Sequence, residues 1–242
     1  MTARASRWLG PLIAPALLAA PTALHAGPFE DAVLVELNRV RAHPQAYARE
    51  LQRAQVVRSR YGDETGEVAP EDPAAADDES MAQADPDAVD QASPSDARPG
   101  GVYQASLGQE DPAAVDDAID YLMRQRPLPP LARDGRVAAA ANEHVARQGP
   151  TGAVGHGPPG SMGRRLQREG VYAGLEAESI SYGQRNPRDV VRQLIVDSGV
   201  PDRGHRKDLL SSSFQVAGVG CGRHARYGSM CVIDLAGAVV RR

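Results

Sequence analysis

VAGVGCGRHARYGSMCVIDLAG, residues 216–237, is the stretch that decides the fold class. A two-residue alternation runs through Val216, Gly218 and Gly220 and resumes at Val232, Asp234 and Ala236, on either side of a polar, glycine-containing middle. That pattern predicts a β-hairpin reaching from Val216 to about Val239. With the turn centred on Arg226, Cys221 and Cys231 fall opposite each other, where a non-hydrogen-bonded pair brings the Cβ atoms within disulfide reach. A metal site is the competing use of two cysteines, but the spacing lacks the CxxC element of a zinc knuckle. The disulfide is therefore the expectation, contributing about 2–3 kcal/mol for so short a loop.

Upstream of the hairpin the period changes from 2 to 3.6. Val33, Leu34, Leu37, Val40 and Arg41 form a helical stripe that stops near His43-Pro44. Asp111-Pro112 reads as an N-cap followed by proline at the first helical position, ahead of Val115, Ile119 and Leu122. Asp134 caps an alanine-rich run to Gln148, with Gly149 placed to end it. Asn186-Pro187-Arg188-Asp189 opens another helix carrying Val190, Val191, Leu194 and Ile195. A strand is predicted from Ser179 to Tyr182. Helices come first and an antiparallel sheet is completed late, so the class is α+β.

The two ends of the first hundred residues set the cellular context. Arg4 and Arg7 precede an apolar run from Trp8 to Leu18 and small residues up to Ala26, the order of a signal peptide. Residues 1–26 are thus expected to be removed, with a secreted or periplasmic destination that agrees with a disulfide. Residues 27–61 are expected as an N-terminal helix belonging to the domain. Residues 62–99 hold twelve acids against Arg98 and contain no Leu, Ile, Phe, Tyr or Trp, which predicts a disordered acidic insert. Residues 100–242 would form the domain core. With leader and insert set aside the rest is mildly basic, too dispersed for a nucleic-acid surface, and no later segment is apolar enough for a stable membrane anchor. No Walker, GxSxG or HExxH pattern occurs.

Two histidines stand out. His156 lies in GAVGHGPPG, a loop able to display a side chain, and His205 lies in PDRGHRKDLL, where a short helix should begin. Glu178 opens the predicted strand beside Ile180, and Asp197 shares the inward helix face of Val190 and Leu194. Buried carboxylates call for partners, and an imidazole is a natural one. Capping and turn-filling are the alternative uses of all four. Ser161 reads as a helix N-cap rather than a nucleophile, and His144, on the stripe of Val137 and Ala141, as core packing.

The ordered set LNRVRAHPQAYA (37–48), LPPL (128–131), GHG (155–157), AESISYG (177–183), LIVDSGVPDRGHRKDLL (194–210) and the hairpin resembles the bacterial branch of the CAP superfamily, the SCP-like extracellular proteins. The resemblance implies an α-β-α sandwich with a central antiparallel sheet and a cleft lined by His156, Glu178, Asp197 and His205. Ala177 and Ser179 stand where the family's Gly-Glu-Asn motif has Gly and Asn. It further implies a non-enzymatic extracellular binding module for a lipid, a small molecule or a protein, in which His156 and His205 could hold Zn²⁺ or Mg²⁺. A metal-assisted hydrolase using the same residues is the alternative, with one carboxylate as general base. A purely structural polar network is the third reading.

Overall fold

A computed structural model describes residues 27–61 and 110–238. The expected leader and acidic insert lie outside the described residues. Residues 27–61 form two helices, α1 (Pro28–Ala42) and α2 (Pro44–Tyr61), rather than one. The break falls at His43-Pro44, because the proline ring disfavours helical backbone in the residue before it while suiting the first turn of the next helix. α3 (Pro112–Arg124), the two-residue β1 (Ala132–Arg133) and α4 (Gly135–Gln148) follow. Asp111 and Asp134 cap α3 and α4 as expected, each accepting a hydrogen bond from a backbone N–H of the first turn. α5 (Ser161–Arg168), β2 (Glu176–Tyr182), α6 (Pro187–Val196), α7 (Gly204–Leu209), β3 (Val216–Gly222) and β4 (Met230–Ala236) complete the order.

The four strands lie in the order β1-β3-β4-β2; the β3–β4 and β4–β2 pairs are antiparallel, and the short β1 is parallel to β3. Two-residue periodicity divides the sheet. Ala217, Val219, Ile233 and Leu235 pack with α1, α2, α3 and α6 in the larger core. Ile180, Tyr182, Met230 and Val232 pack with Ala141 and Val145 of α4 on the opposite face. The result is the expected α-β-α sandwich. Gly218, Gly220 and Gly222, all on the α4 side of β3, let the helix backbone come down onto the strand: a Cβ on Gly218 would lie 2.1 Å from the amide nitrogen of Ala138. Among the described residues no helix is long and apolar enough to cross a membrane.

The hairpin has the predicted register. Cys221 pairs with Cys231 across β3 and β4, and the two are joined by a disulfide with a Cα–Cα distance of 4.1 Å. The bond closes a loop between elements that the sheet already aligns, so its effect is mainly on the unfolded chain. Reduction is expected to lower stability by about 2–3 kcal/mol, or roughly 5–10 °C in Tm, read by thermal denaturation with and without a thiol reductant. An unchanged Tm on full reduction would show that the hairpin needs no cross-link.

Candidate functional site

β2 is an outer strand, and the site is built from the two helical layers that flank it. On the α4 side, residues 152–160 run as a loop with Gly155 at φ 89° and Gly157 at φ 78°, values that L side chains rarely adopt. These two glycines bracket His156. Buried polar groups then fix the loop. The N–H of Gly155 donates to the Tyr182 hydroxyl at 2.9 Å, and its carbonyl accepts from Gln148 Nε2 at 2.7 Å and from the His144 ring at 3.1 Å. His144 is buried as expected, but it grips this loop as well as filling the core, and burial lowers its basicity. His224 adds a further hold, its Nε2 lying 2.8 Å from the carbonyl of Ala153.

So held, the His156 ring turns its Nδ1 to Glu178 Oε1 at 3.0 Å; the histidine side chain keeps a third of its surface exposed, whereas Glu178 keeps 3 %. Glu178 lies inside β2 rather than at its start, since the strand begins two residues earlier at Glu176. Its other oxygen, Oε2, accepts from the guanidinium of Arg165, itself buried on α5. Burial alone would raise the pKa of Glu178, but the hydrogen bond from His156 and the positive field of Arg165 outweigh it and hold the pKa below the usual carboxyl range. Ser161 is the first residue of α5, with Gly160 as the cap, and its hydroxyl donates to the carbonyl of His156 at 2.7 Å. The sequence expectation of a serine N-cap is thereby corrected. Gly160, at φ 69°, takes the position because the chain turns through the left-handed region there.

On the opposite layer, α6 is latched to β2 by Gln193, which accepts from the Ser181 hydroxyl at 2.6 Å and donates to the Tyr182 carbonyl at 3.2 Å. Asp197 does not sit on the helical stripe. It is the C-cap of α6, in left-handed conformation at φ 56°, and is 2 % exposed. Oδ1 faces Nδ1 of His205 at 2.7 Å, and Oδ2 accepts from the backbone N–H of Arg206 at 3.3 Å. Arg206 then ties the corner together, donating to the carbonyls of Ile195 at 2.6 Å and Val196 at 2.8 Å and pairing with Asp117 at 3.0 Å. His205 itself is the second residue of the short α7.

The four expected residues thus form two imidazole–carboxylate pairs, His156 with Glu178 and His205 with Asp197. Asp208, one turn beyond His205 and half-buried, lies near both: burial raises its pKa, while the fields of His205 and His156 both draw it down, so both rings lie within electrostatic reach of this one carboxyl. Sequence reasoning missed Asp208, Arg165 and Arg206. The last two carry a signal only in hindsight, as arginines at helical positions that the packing buries.

The chemistry of the donors decides what ion they suit. A carboxylate on Nδ1 fixes the imidazole tautomer and aims Nε2 outward, as in metal sites where the acid serves the histidine and not the ion. Two Nε2 atoms fit as zinc ligands in part. The oxygens of Glu178 and Asp197 fit less well, since each already accepts a hydrogen bond from His156, Arg165, His205 or Arg206. Among the described residues no group of three or more His, Cys, Asp or Glu side chains is gathered in metal-holding geometry. A separate groove of about 290 Å³ lies beside the disulfide, between Phe29, Arg185 and Met230.

Residues 45–235 match the model of the family described as CAP, the cysteine-rich secretory protein family. No curated protein matches the chain. Among solved structures, an extracellular protein containing a SCP domain from Bacillus anthracis str. Ames shares 29 % identity over 50 % of this chain and 38 % of its own, with a TM-score of 0.39. A cysteine-rich secretory protein from Staphylococcus aureus subsp. aureus Mu50 shares 15 % over 55 % of this chain and 41 % of its own, with a TM-score of 0.35. This chain thus spans about two fifths of the length of either protein. The family match rests on much broader coverage: from the second residue of α2 to the penultimate residue of β4 the sequence follows one model, and the chain belongs to the CAP, or cysteine-rich secretory protein, family.

Proposed function

We propose that this protein is an exported, non-enzymatic binding module whose ligand, a lipid, a small molecule or an extracellular protein, docks at the His156–Glu178 and His205–Asp197 pairs. One observation carries the reading: every carboxylate oxygen of the two pairs already accepts a hydrogen bond, from an imidazole or from an arginine. Such acids preorganise a recognition surface. A hydrolase would need one of them as an unspent base, and Glu178, held below its usual acidity range by His156 and Arg165, is a weak one. Ser161 supplies no nucleophile either, because its hydroxyl donates to a carbonyl and not to a base.

A divalent ion enters this reading as an accessory. Zn²⁺ is favoured over Mg²⁺, since imidazole nitrogen suits zinc and the hard oxygens that magnesium prefers are committed. The ion would supply a positive, Lewis-acidic point between the layers, while His156 and His205 hold it and Glu178 and Asp197 keep the rings in place.

Calorimetric titration of the mature protein with zinc tests this. Binding is expected in the wild type and is expected to be lost in His156→Ala and in His205→Ala, with Glu178→Gln weaker by about ten- to a hundredfold. Retained binding in both alanine variants would place the ion elsewhere. Hydrolysis of a broad peptide library by the zinc-loaded protein, abolished in Glu178→Gln, would overturn the binding module in favour of a metal-assisted peptidase.

A further inference from the structure

Asp234 occupies the middle of β4, directly across from Glu178 on β2 and from Gly218 on β3. Opposed residues of an antiparallel pair point to the same face, so the two carboxyl groups share the α4 side of the sheet. Asp234 is fully buried, and neither of its oxygens has a hydrogen-bond partner among the described residues. No side-chain donor comes from the β3 position opposite, because Gly218 carries no side chain. The charged groups that face Asp234 are Glu178 and Glu176 from β2 and Arg165 from α5. Arg165 turns its guanidinium to Glu178, and its Nε, though buried, has no partner among the described residues.

An ionised carboxylate with no donor, next to a second anion, is among the costliest groups a core can hold. A protonated one is different. It brings its own donor, and Glu178 offers the acceptor, since each carboxylate oxygen has a lone pair beyond the one it gives to His156 or Arg165. Burial first, and the charge of Glu178 second, push the Asp234 pKa well above the usual carboxyl range, in line with this arrangement.

We propose that Asp234 is kept as a neutral carboxylic acid whose O–H donates to the Glu178 carboxylate, which makes Asp234 the buried positioning residue of the site, acting through Glu178 on the His156 ring. The role rests on Glu178 being the residue that orients His156, but its test requires no ligand, so failure of ligand binding and failure of this role are separable. The proton stays on Asp234 in the resting protein and none is transferred.

Two measurements test the proposal. Infrared spectroscopy of the wild-type protein at neutral pH should show the carbonyl stretch of a protonated carboxylic acid that shifts on ¹³C-aspartate labelling and not on ¹³C-glutamate labelling. Absence of that band overturns the proposal without any variant. The second measurement follows the Glu178 carboxyl carbon by NMR across an acid titration. Asp234→Asn retains an N–H donor and should leave the Glu178 midpoint in place, whereas Asp234→Ala removes the donor and should raise it by about one pH unit. A downward shift in both variants would mean that Asp234 is ionised. No shift in either, with only a loss of stability, would reduce Asp234 to a structural filler. Should Asp234→Asn fail to fold, the labelled band in the wild type, followed in Glu178→Gln, decides: a band whose frequency does not respond to that change places the acid's hydrogen bond elsewhere.

Discussion

Gly218→Ala is expected to cost the fold at least about 3 kcal/mol. The added carbon would lie 2.1 Å from Ala138 N, 2.3 Å from Val137 C and 2.7 Å from Ala138 Cα. All three are backbone atoms of α4, so no side-chain rotation relieves the overlap. β3 and α4 would have to separate, which would open the smaller core and unseat the 152–160 loop that α4 holds through His144 and Gln148. Gly174→Ala is the matched control: nothing lies within 4 Å of its Cβ position, and it should stay within about 0.5 kcal/mol of the parent. Urea denaturation of the three proteins checks this. Equal midpoints would show that α4 does not rest on the strand as closely as described.

Arg165→Met should be nearly as damaging, but in a pH-dependent way. It removes the buried cation that pairs with Glu178 and leaves an uncompensated carboxylate, a change costing about 3–5 kcal/mol near neutral pH. In the parent, the folded-state pKa of Glu178 is depressed, so its contribution is present above the unfolded value and is lost as pH falls through the lower, folded one. Without Arg165 the folded pKa rises, because burial then meets less opposing positive charge, and acid relieves part of the penalty by protonating Glu178. The stability gap between parent and variant should therefore narrow on going from pH 7 to below 4.5, the ordinary value for this side chain. A gap of the same size at both pH values would mean that lost packing, and not the charge, was responsible.

Much of this architecture is legible in the sequence wherever a local rule decides the outcome. The caps at Asp111, Asp134 and Asn186 all accept the backbone hydrogen bond that their position predicts. The hairpin register follows from its period, and with it the cysteine pairing. The histidines and their two acids were marked by loop context and by unwelcome charge in apolar surroundings, and the structure pairs them one to one. Other features depend on contacts distant in sequence. Asp197 reads as part of a helical stripe because its spacing fits, but the hydrogen bonds to His205 and Arg206 draw it past the helix end into left-handed backbone. Asp234 was visible as an acid on the core side of an alternating strand. Its opposition to Glu178 depends on the pairing of strands about fifty residues apart, which period alone does not specify. Arg165 and Arg206 give no local sign of burial, since only assembly of the two layers removes them from water.

Asp197 bears on how the protein would respond to selection. A left-handed helix C-cap suits glycine or asparagine, and an aspartate there carries backbone strain of about 1 kcal/mol. That strain is outweighed by what the side chain supplies: glycine at this position would leave the buried backbone N–H of Arg206 and the His205 ring without their acceptor, at a cost of about 1–3 kcal/mol for each. A thermostability campaign should therefore leave position 197 unchanged.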